Sequence, residues 1–497
     1  MKITPFQFMD VPRKQPRELA VAVRVLGWSE IYGSFDAAGA TEQSARCLDC
    51  GNPYCSAKCP VHNDIPNWLA LVREGRLFEA CDLAHETNPL PEICGRVCPQ
   101  DRLCEGACTI NVGFEAVTIG SVEKYIVDTA VKAGWRPDLS RVRPTRFKVA
   151  IIGAGPAGLA CADRLARAGI AAHVFDRYEE IGGLLTFGIP PFKLEKEVIA
   201  TRRMLLEGMG VQFHLGVEIG RDQSFETLLN DFDAVFIGNG AYRYVNGRLS
   251  GQDRPGVVPA LPFLVSNGRR VLGSESAHEA VIAGWSHGAP TLDLAGKRVV
   301  VLGGGDTGMD CVRTAVRLGA SQVTCVYRRD EASMPGSRRE VKNAKDEGVQ
   351  FLFNRQPLAI LGHGPEDDSP VRAVQMAETE ISAGSRSGGV QTIPGSEREI
   401  AADLVIQAFG FRAEQPAWLR SVLAADDLDA EQRVQVRRSD AGRRQPRSAR
   451  LAYQTSVAKV FAGGDTVRGA DLVVTAVQDG RDAAESIRRW LTIPQEG

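Results

Sequence analysis

The rhythm of apolar and polar positions changes sharply at Phe147. Upstream, residues 1–145 are helical and irregular. Trp68, Leu71, Val72 and Phe78 fall on one helical face over 67–79, and 117–133 reads as another helix that Gly134 can stop. Arg136-Pro137 through Arg143-Pro144 reads as a basic linker. From Phe147 onward, buried strands alternate with amphipathic helices: strand 147–152, helix 159–168, strand 172–175. The same grammar returns as strand 298–302, helix 307–318 and strand 322–327. Two such βαβ units, roughly 150 residues apart, predict two nucleotide-binding domains and not one doubly wound sheet. Residues 402–408 read as a strand near a domain crossing, 459–462 as a short strand and 472–490 as a long closing helix. A strand, Gly-Asp and helix at the far end suit a first domain completed by the C-terminal segment, with the second inserted in it.

Composition narrows the class. The 497 residues are 44% hydrophobic and 24% charged, with a net charge of -2, ordinary for a soluble globular protein. Such a balance gives no argument for nucleic acid or an anionic membrane as partner. Arg437, Arg438, Arg443, Arg444, Arg447 and Arg450 form a short basic stretch, read as a solvated loop. The N-terminus lacks the apolar core of a secretory signal, and no apolar run is long enough to span a bilayer. The expected compartment is the reducing cytoplasm, where cysteines serve as ligands or catalytic thiols more than as disulfides.

Eight of the 12 cysteines stand in two groups: Cys47, Cys50, Cys55, Cys59 and Cys94, Cys98, Cys104, Cys108. The spacings are C-x2-C-x4-C-x3-C and C-x3-C-x5-C-x3-C. Soft thiolates suit iron–sulfur centres or zinc, and spacing does not decide between them. Proline after Cys59 and Cys98 turns the chain away from a ligand, and in two-cluster proteins a distal cysteine often serves the other cluster. Two 4Fe–4S clusters are the preferred reading because redox cofactors downstream give them a purpose. Cys81, Cys161, Cys311 and Cys325 read as inert buried thiols.

Gly153-Ala154-Gly155-Pro156-Ala157-Gly158 is a complete G-x-G-x-x-G between strand and helix. The first glycine allows the turn, the second lets backbone approach a pyrophosphate, and the third lets helix and strand pack closely. Asp176 ends the next strand at the distance expected of a ribose ligand. Gly183 and Leu184 follow in a glycine pair that could let backbone pass the cofactor. Gly464, Asp465 and, in the first turn of the closing helix, Thr475 complete the expected contacts to FAD. That helix would aim its N-terminus at the flavin N1/C2 carbonyl. The second fingerprint runs Gly303, Gly305, Asp306, Thr307, Gly308. No acid ends its second strand; Arg328 and Arg329 stand there, matching a 2′-phosphate and so NADPH. Hydride transfer from nicotinamide to flavin needs alignment and not a protein acid or base, so no catalytic side chain is expected. Asp306, Asp310 and Glu340 either orient the nicotinamide side or serve as caps and surface acids.

Taken together, Cys47-Leu48-Asp49-Cys50-Gly51, Cys59-Pro60-Val61-His62-Asn63, Asn88-Pro89-Leu90-Pro91-Glu92-Ile93-Cys94-Gly95-Arg96-Val97-Cys98-Pro99, Phe187-Gly188-Ile189-Pro190, Tyr327-Arg328-Arg329 and Gly463-Gly464-Asp465-Thr466 resemble the small (beta) subunits of NADPH-dependent glutamate synthase over essentially the whole chain. Trp28-Ser29-Glu30-Ile31-Tyr32 and Gly240-Ala241-Tyr242-Arg243-Tyr244 tilt toward them within a wider flavin and double-cluster group. The resemblance implies an α/β fold: two Rossmann-like domains of glutathione-reductase type behind a mainly helical iron–sulfur domain. The implied division is 1–145 for iron–sulfur, 146–290 for FAD, 291–410 for NADPH and 411–497 completing the FAD domain. It also implies interleaved ligands: Cys47, Cys50, Cys55 and Cys108 for one cluster, Cys59, Cys94, Cys98 and Cys104 for the other. Electrons from NADPH would pass through FAD and the clusters to FMN in a large (alpha) subunit that makes glutamate from glutamine and 2-oxoglutarate. The chain would then work in a hetero-oligomer. Asp176 stands where glutamate is common in that family, and 267–288 has no assigned role. The competing readings are the NADPH-binding subunit of another flavin complex, such as a ferredoxin–NADP transhydrogenase or pyrimidine reductase, and a non-catalytic cofactor scaffold.

Overall fold

The computed structural model describes residues 6–273, 292–364, 368–381, 389–437 and 451–492. Most of 267–288, and the basic stretch beyond Arg437, lie outside the described residues.

The first nucleotide sheet is five-stranded and parallel. Its order runs Val460–Ala462, Ala234–Ile237, Lys148–Ile152, Ala171–Asp176, Gln212–Leu215. Ile151 pairs with Val174 on one side and Phe236 on the other. Strand Val460–Ala462 pairs with Ala234–Ile237, so the C-terminal segment does close this sheet. Helix Pro156–Arg167 and the closing helix Val473–Thr492 cover one face, where Leu159, Leu165, Val477 and Ile487 meet Ile151, Val174 and Phe236 in the core.

The second sheet runs Val257–Pro259, Leu404–Gln407, Arg298–Leu302, Gln322–Val326, Gln350–Leu352. One sequence expectation shifts here. Strand Val257–Pro259 falls within the range expected for the first nucleotide domain, yet it pairs with Leu404–Gln407 in the second. Leu404–Gln407 forms the strand read over 402–408, inside the second sheet, and just beyond it a short ribbon pairs Phe411 with Tyr244. Val257–Pro259 is a short apolar run whose partner lies far away in sequence, so periodicity cannot choose its sheet.

The N-terminal region is helical, as expected. The single helix read over 67–79 is two, Ile65–Arg73 and Leu77–Thr87. Gly75 breaks it at φ +76, a conformation that lacks the usual penalty only for glycine. Trp68, Leu69, Val122 and Ile126 form the core of this unit. Buried contacts dock it. Arg202, in helix Lys196–Gly208, forks onto Glu92 at 2.7 and 2.5 Å. Residues 17–33 thread between the nucleotide domains: Ile31 donates its N–H to the Phe192 carbonyl at 3.0 Å, and the buried Arg24 meets Glu347 at 3.0 Å.

Candidate functional site

Backbone shape at the first glycine turn is dictated by contact. A Cβ on Gly153, at φ +104, would lie 2.4 Å from the Gly238 carbonyl oxygen. One on Gly158 would lie 1.9 Å from the Gly153 oxygen. One on Gly155 would meet nothing within 4 Å, so that backbone faces open space, as a pyrophosphate requires. The buried Asp176 carboxylate accepts the N–H groups of Ala154 at 2.7 Å and Tyr178 at 2.9 Å. Burial raises its pKa against those bonds. With one N–H on each oxygen, lone pairs remain for ribose hydroxyls. Gly183 packs with its hypothetical Cβ 3.2 Å from the Gly155 Cα. The Gly464 N–H is held by Asp479 at 3.0 Å, and burial pushes the Asp465 carboxyl up to about 7. The Thr475 hydroxyl, in the first turn of the closing helix, donates back to the Leu472 carbonyl at 2.7 Å.

The second turn repeats the design. A Cβ on Gly303, at φ +127, would lie 2.3 Å from the Ala408 oxygen, one on Gly308 2.6 Å from the Gly303 oxygen, and one on Gly305 would be free. Asp306 opens helix Asp306–Arg317 and accepts the Ser337 N–H at 2.8 Å. Beyond strand Gln322–Val326, Arg328 is exposed and Arg329 half-buried. The Arg329 Nε is buried with no hydrogen-bond partner among the described residues, a donor suited to a phosphate.

One cavity of about 1000 Å³ joins the two turns. Gly153, Gly155, Pro156, Ala157, Asp176, Leu184 and Asp465 line it from the first, Asp306 and Thr307 from the second, and Cys98 from the cysteine groups. Gly158, Gly183, Gly303, Gly305, Gly308, Arg328, Arg329, Gly464 and Thr475 are not on its wall. Lys193 and Asp310 meet there at 2.8 Å, linking the first sheet's domain to the second fingerprint helix. Burial works against the Lys193 charge, but Asp310 and Glu340 hold its pKa above the usual lysine range. Burial and Glu340 push Asp310 up to about 6, opposed by Lys193. Asp310 and Glu340 are therefore buried partners and not surface acids. Glu340 is held by Arg313 at 2.5 Å and by the Tyr32 hydroxyl.

One cysteine set of the two that the resemblance implies shares a cavity. Cys47, Cys50, Cys55 and Cys108 line one small cavity of about 20 Å³. Burial pushes Cys47 up to about 12 and Cys55 to about 11, and the neighbouring thiols of that set add to both. In the other set, Cys98 is raised by a hydrogen bond with Cys94, by burial and by Cys104. Cys104 is raised by burial, with Cys59 contributing. Thiols so crowded cannot all ionise unless a bound metal supplies positive charge. Among the described residues, no three His, Cys, Asp or Glu side chains are arranged to hold a metal ion. The donor set fits iron–sulfur ligation; the geometry by itself does not identify the metal.

Sequence reasoning missed Lys193, Asp479 and Gly480. Asp479 is buried, forks onto Arg468 at 2.6 and 2.8 Å, and holds the Gly464 turn. A Cβ on Gly480 would lie 1.9 Å from the Ala157 oxygen, so this glycine sets how closely the closing helix approaches the fingerprint helix. A glycine within an otherwise helical pattern was the available signal.

Comparison with known proteins gives the class first. Residues 147–480, more than half the chain, match the pyridine nucleotide-disulphide oxidoreductase family. Residues 24–135 match dihydropyrimidine dehydrogenase domain II, 4Fe-4S cluster. The fold agrees with Mycobacterium tuberculosis FprA in complex with NADPH, at TM-score 0.54 and 18% identity over 70% of this chain and 85% of that one. The chain belongs to the family of glutamate synthase (NADPH) small chains. It is 53% identical to that of Escherichia coli K12 over 98% of this chain and 99% of the relative. Against that of Azospirillum brasilense it is 43% identical over 97% and 95%. It is also 49% identical to the putative oxidoreductase AegA of Escherichia coli K12, over 97% of this chain and 70% of that protein. No described helix is long and apolar enough to cross a membrane.

Proposed function

We propose that this chain is the NADPH-oxidising small subunit of a glutamate synthase. It takes electrons from NADPH at FAD and passes them through two 4Fe–4S clusters to the FMN of a large (alpha) subunit in the cytoplasm. The observation that carries the reading is the shared cavity, faced by both nucleotide turns and by Cys98. Bound in it, FAD supplies hydride acceptance from nicotinamide and release of electrons one at a time. The protein's own part is placement. Gly155 leaves room for the flavin pyrophosphate, and Asp176 accepts the ribose hydroxyls while holding its own turn closed. Gly183, Leu184, Gly464, Asp465 and Thr475 shape the rest of the flavin site.

At the second site, Gly303, Gly305 and Gly308 admit the NADPH pyrophosphate, and Arg328 and Arg329 take the 2′-phosphate. Lys193 and Asp310 fix the wall between the two nucleotides. Cys47, Cys50, Cys55 and Cys108 hold one cluster and Cys59, Cys94, Cys98 and Cys104 the other. That Cys98 lies on the cavity wall supports the second set as the one that takes electrons from the flavin. The domains divide near 145, with the nucleotide domains crossing at the Tyr244–Phe411 ribbon.

The test is coupling. Purified chain mixed with a glutamate synthase large subunit should oxidise NADPH only when glutamine and 2-oxoglutarate are both present. Failure to couple, alongside efficient ferredoxin reduction, would assign the chain to a different flavin complex. A bound flavin that NADPH does not bleach would leave only a scaffold.

A further inference from the structure

The two nucleotide turns differ at one position that matters for charge. The first places Pro156 at the start of its helix; the second places Asp306 there. A carboxylate beside a helix N-terminus competes for the dipole and repels an arriving phosphate. Asp306 does have a structural task, since one of its oxygens accepts the Ser337 N–H at 2.8 Å. Its other oxygen faces Arg102 at 3.5 Å. Arg102 belongs to neither nucleotide domain. It comes from the cysteine domain, between Cys98 and Cys104 of one thiol set, and its guanidinium is anchored on the Pro335 carbonyl at 2.8 Å. The side chain is 45% exposed, and it meets the cavity wall through Asp306 without lining the cavity itself.

We propose that Arg102 is an NADPH-binding residue contributed across the domain boundary: it neutralises Asp306 and supplies charge to the NADPH pyrophosphate. The inference rests on the NADPH reading of the second turn and adds a residue that no nucleotide fingerprint contains. Arg328 and Arg329 lie at the far end of the second strand, where a 2′-phosphate is read. The pyrophosphate is common to NADPH and NADH. Arg102 therefore governs affinity for both nucleotides, while the other two arginines govern the choice between them. Because Arg102 sits in the loop that carries two thiolate ligands, nucleotide binding and the order of that loop are coupled, and the coupling is reciprocal.

The experiment uses the holoprotein with ferricyanide as acceptor, after iron and flavin contents are matched to wild type. Arg102→Gln should raise KM for NADPH and for NADH about tenfold each, the scale of one lost charge-assisted hydrogen bond, with kcat within about twofold. Arg102→Lys should recover most of the loss. Adding Asp306→Asn to Arg102→Gln should bring KM back toward wild type. An unchanged KM in Arg102→Gln would reduce Arg102 to a domain tether and overturn the proposal. So would a rise confined to NADPH, which would move the residue to the 2′-phosphate. Should Arg102→Gln lose iron, Asp306→Asn carries the test alone: it should lower KM a few-fold, and no change overturns the idea. The underlying NADPH reading fails separately, if replacing Arg328 and Arg329 by Gln leaves the NADPH preference over NADH intact.

Discussion

The bond between Glu92 and Arg202 ties the cysteine domain to the flavin side of the molecule, and its strength can be worked out. Both side chains are buried, at 4% and 0% exposure, and the guanidinium forks onto the carboxylate at 2.7 and 2.5 Å. The same guanidinium reaches the His85 ring at 3.0 Å, and that ring stacks on Trp135 with centroids 4.7 Å apart. Charge centres about 4 Å apart attract by about 4 kcal/mol at an effective dielectric of about 20. Removing one partner also strands the other without water, so a single change should cost about 3–5 kcal/mol. Arg202→Met and Glu92→Met should each lower the urea midpoint at which cluster absorbance is lost. The double variant should cost no more than either single change, because two apolar side chains of similar reach replace two charges together. Both singles, the double and wild type form a cycle whose coupling energy is expected near 3 kcal/mol. Additivity within about 0.5 kcal/mol would show that the two charges do not stabilise each other, and would refute the claim that this pair docks the domain. Glu92 stands two residues before Cys94. The singles should therefore lose the signal of the cluster bound by that set before they lose flavin.

Asp465 gives the flavin-free protein a pH dependence. Its folded pKa, about 7 because of burial, lies above the unfolded value. The folded state then binds more protons across the window from about 4 to 7, and stability falls as pH rises through it, by at most about 1.4 kcal/mol per unit. Asp465→Asn should flatten that part of a melting profile, and an unchanged slope would point to another group. Gly480→Ala should cost about 1–3 kcal/mol and loosen FAD, because a methyl carbon 1.9 Å from the Ala157 oxygen forces the closing helix outward; tight flavin in this variant would contradict that reading. Cys108→Ser should remove only the spectroscopic signal of the cluster it shares with Cys47, Cys50 and Cys55. The same change at Cys98 should remove the other signal and slow electron exit from the flavin. Loss of both signals from either variant would count against the two-set division.

Much of the fold was legible along the chain because its signals are local. The turn at Gly153 needs φ +104 and the turn at Gly303 needs φ +127, and both sit between an apolar strand and an amphipathic helix. The eight thiols were legible for a similar reason, since ligands supplied by short loops cluster in sequence. Errors came where a short element had no local preference. Val257–Pro259 is a brief apolar strand that would fit either sheet, and its neighbours along the chain do not decide which. The break at Gly75 was passed over because the apolar spacing continued across it.

The sequence by itself determined the two nucleotide turns, the arginines at the end of the second, and the membership of the eight thiols. Each is a pattern within a few tens of residues, and backbone sterics and side-chain chemistry force it locally. Only the tertiary structure decided that Lys193 meets Asp310 across the cavity, that Gly480 limits the closing helix, and that Arg102 reaches Asp306. Those contacts join residues separated by 117, 204 and more positions. Such pairs form only after whole domains have packed, so no local rule records them.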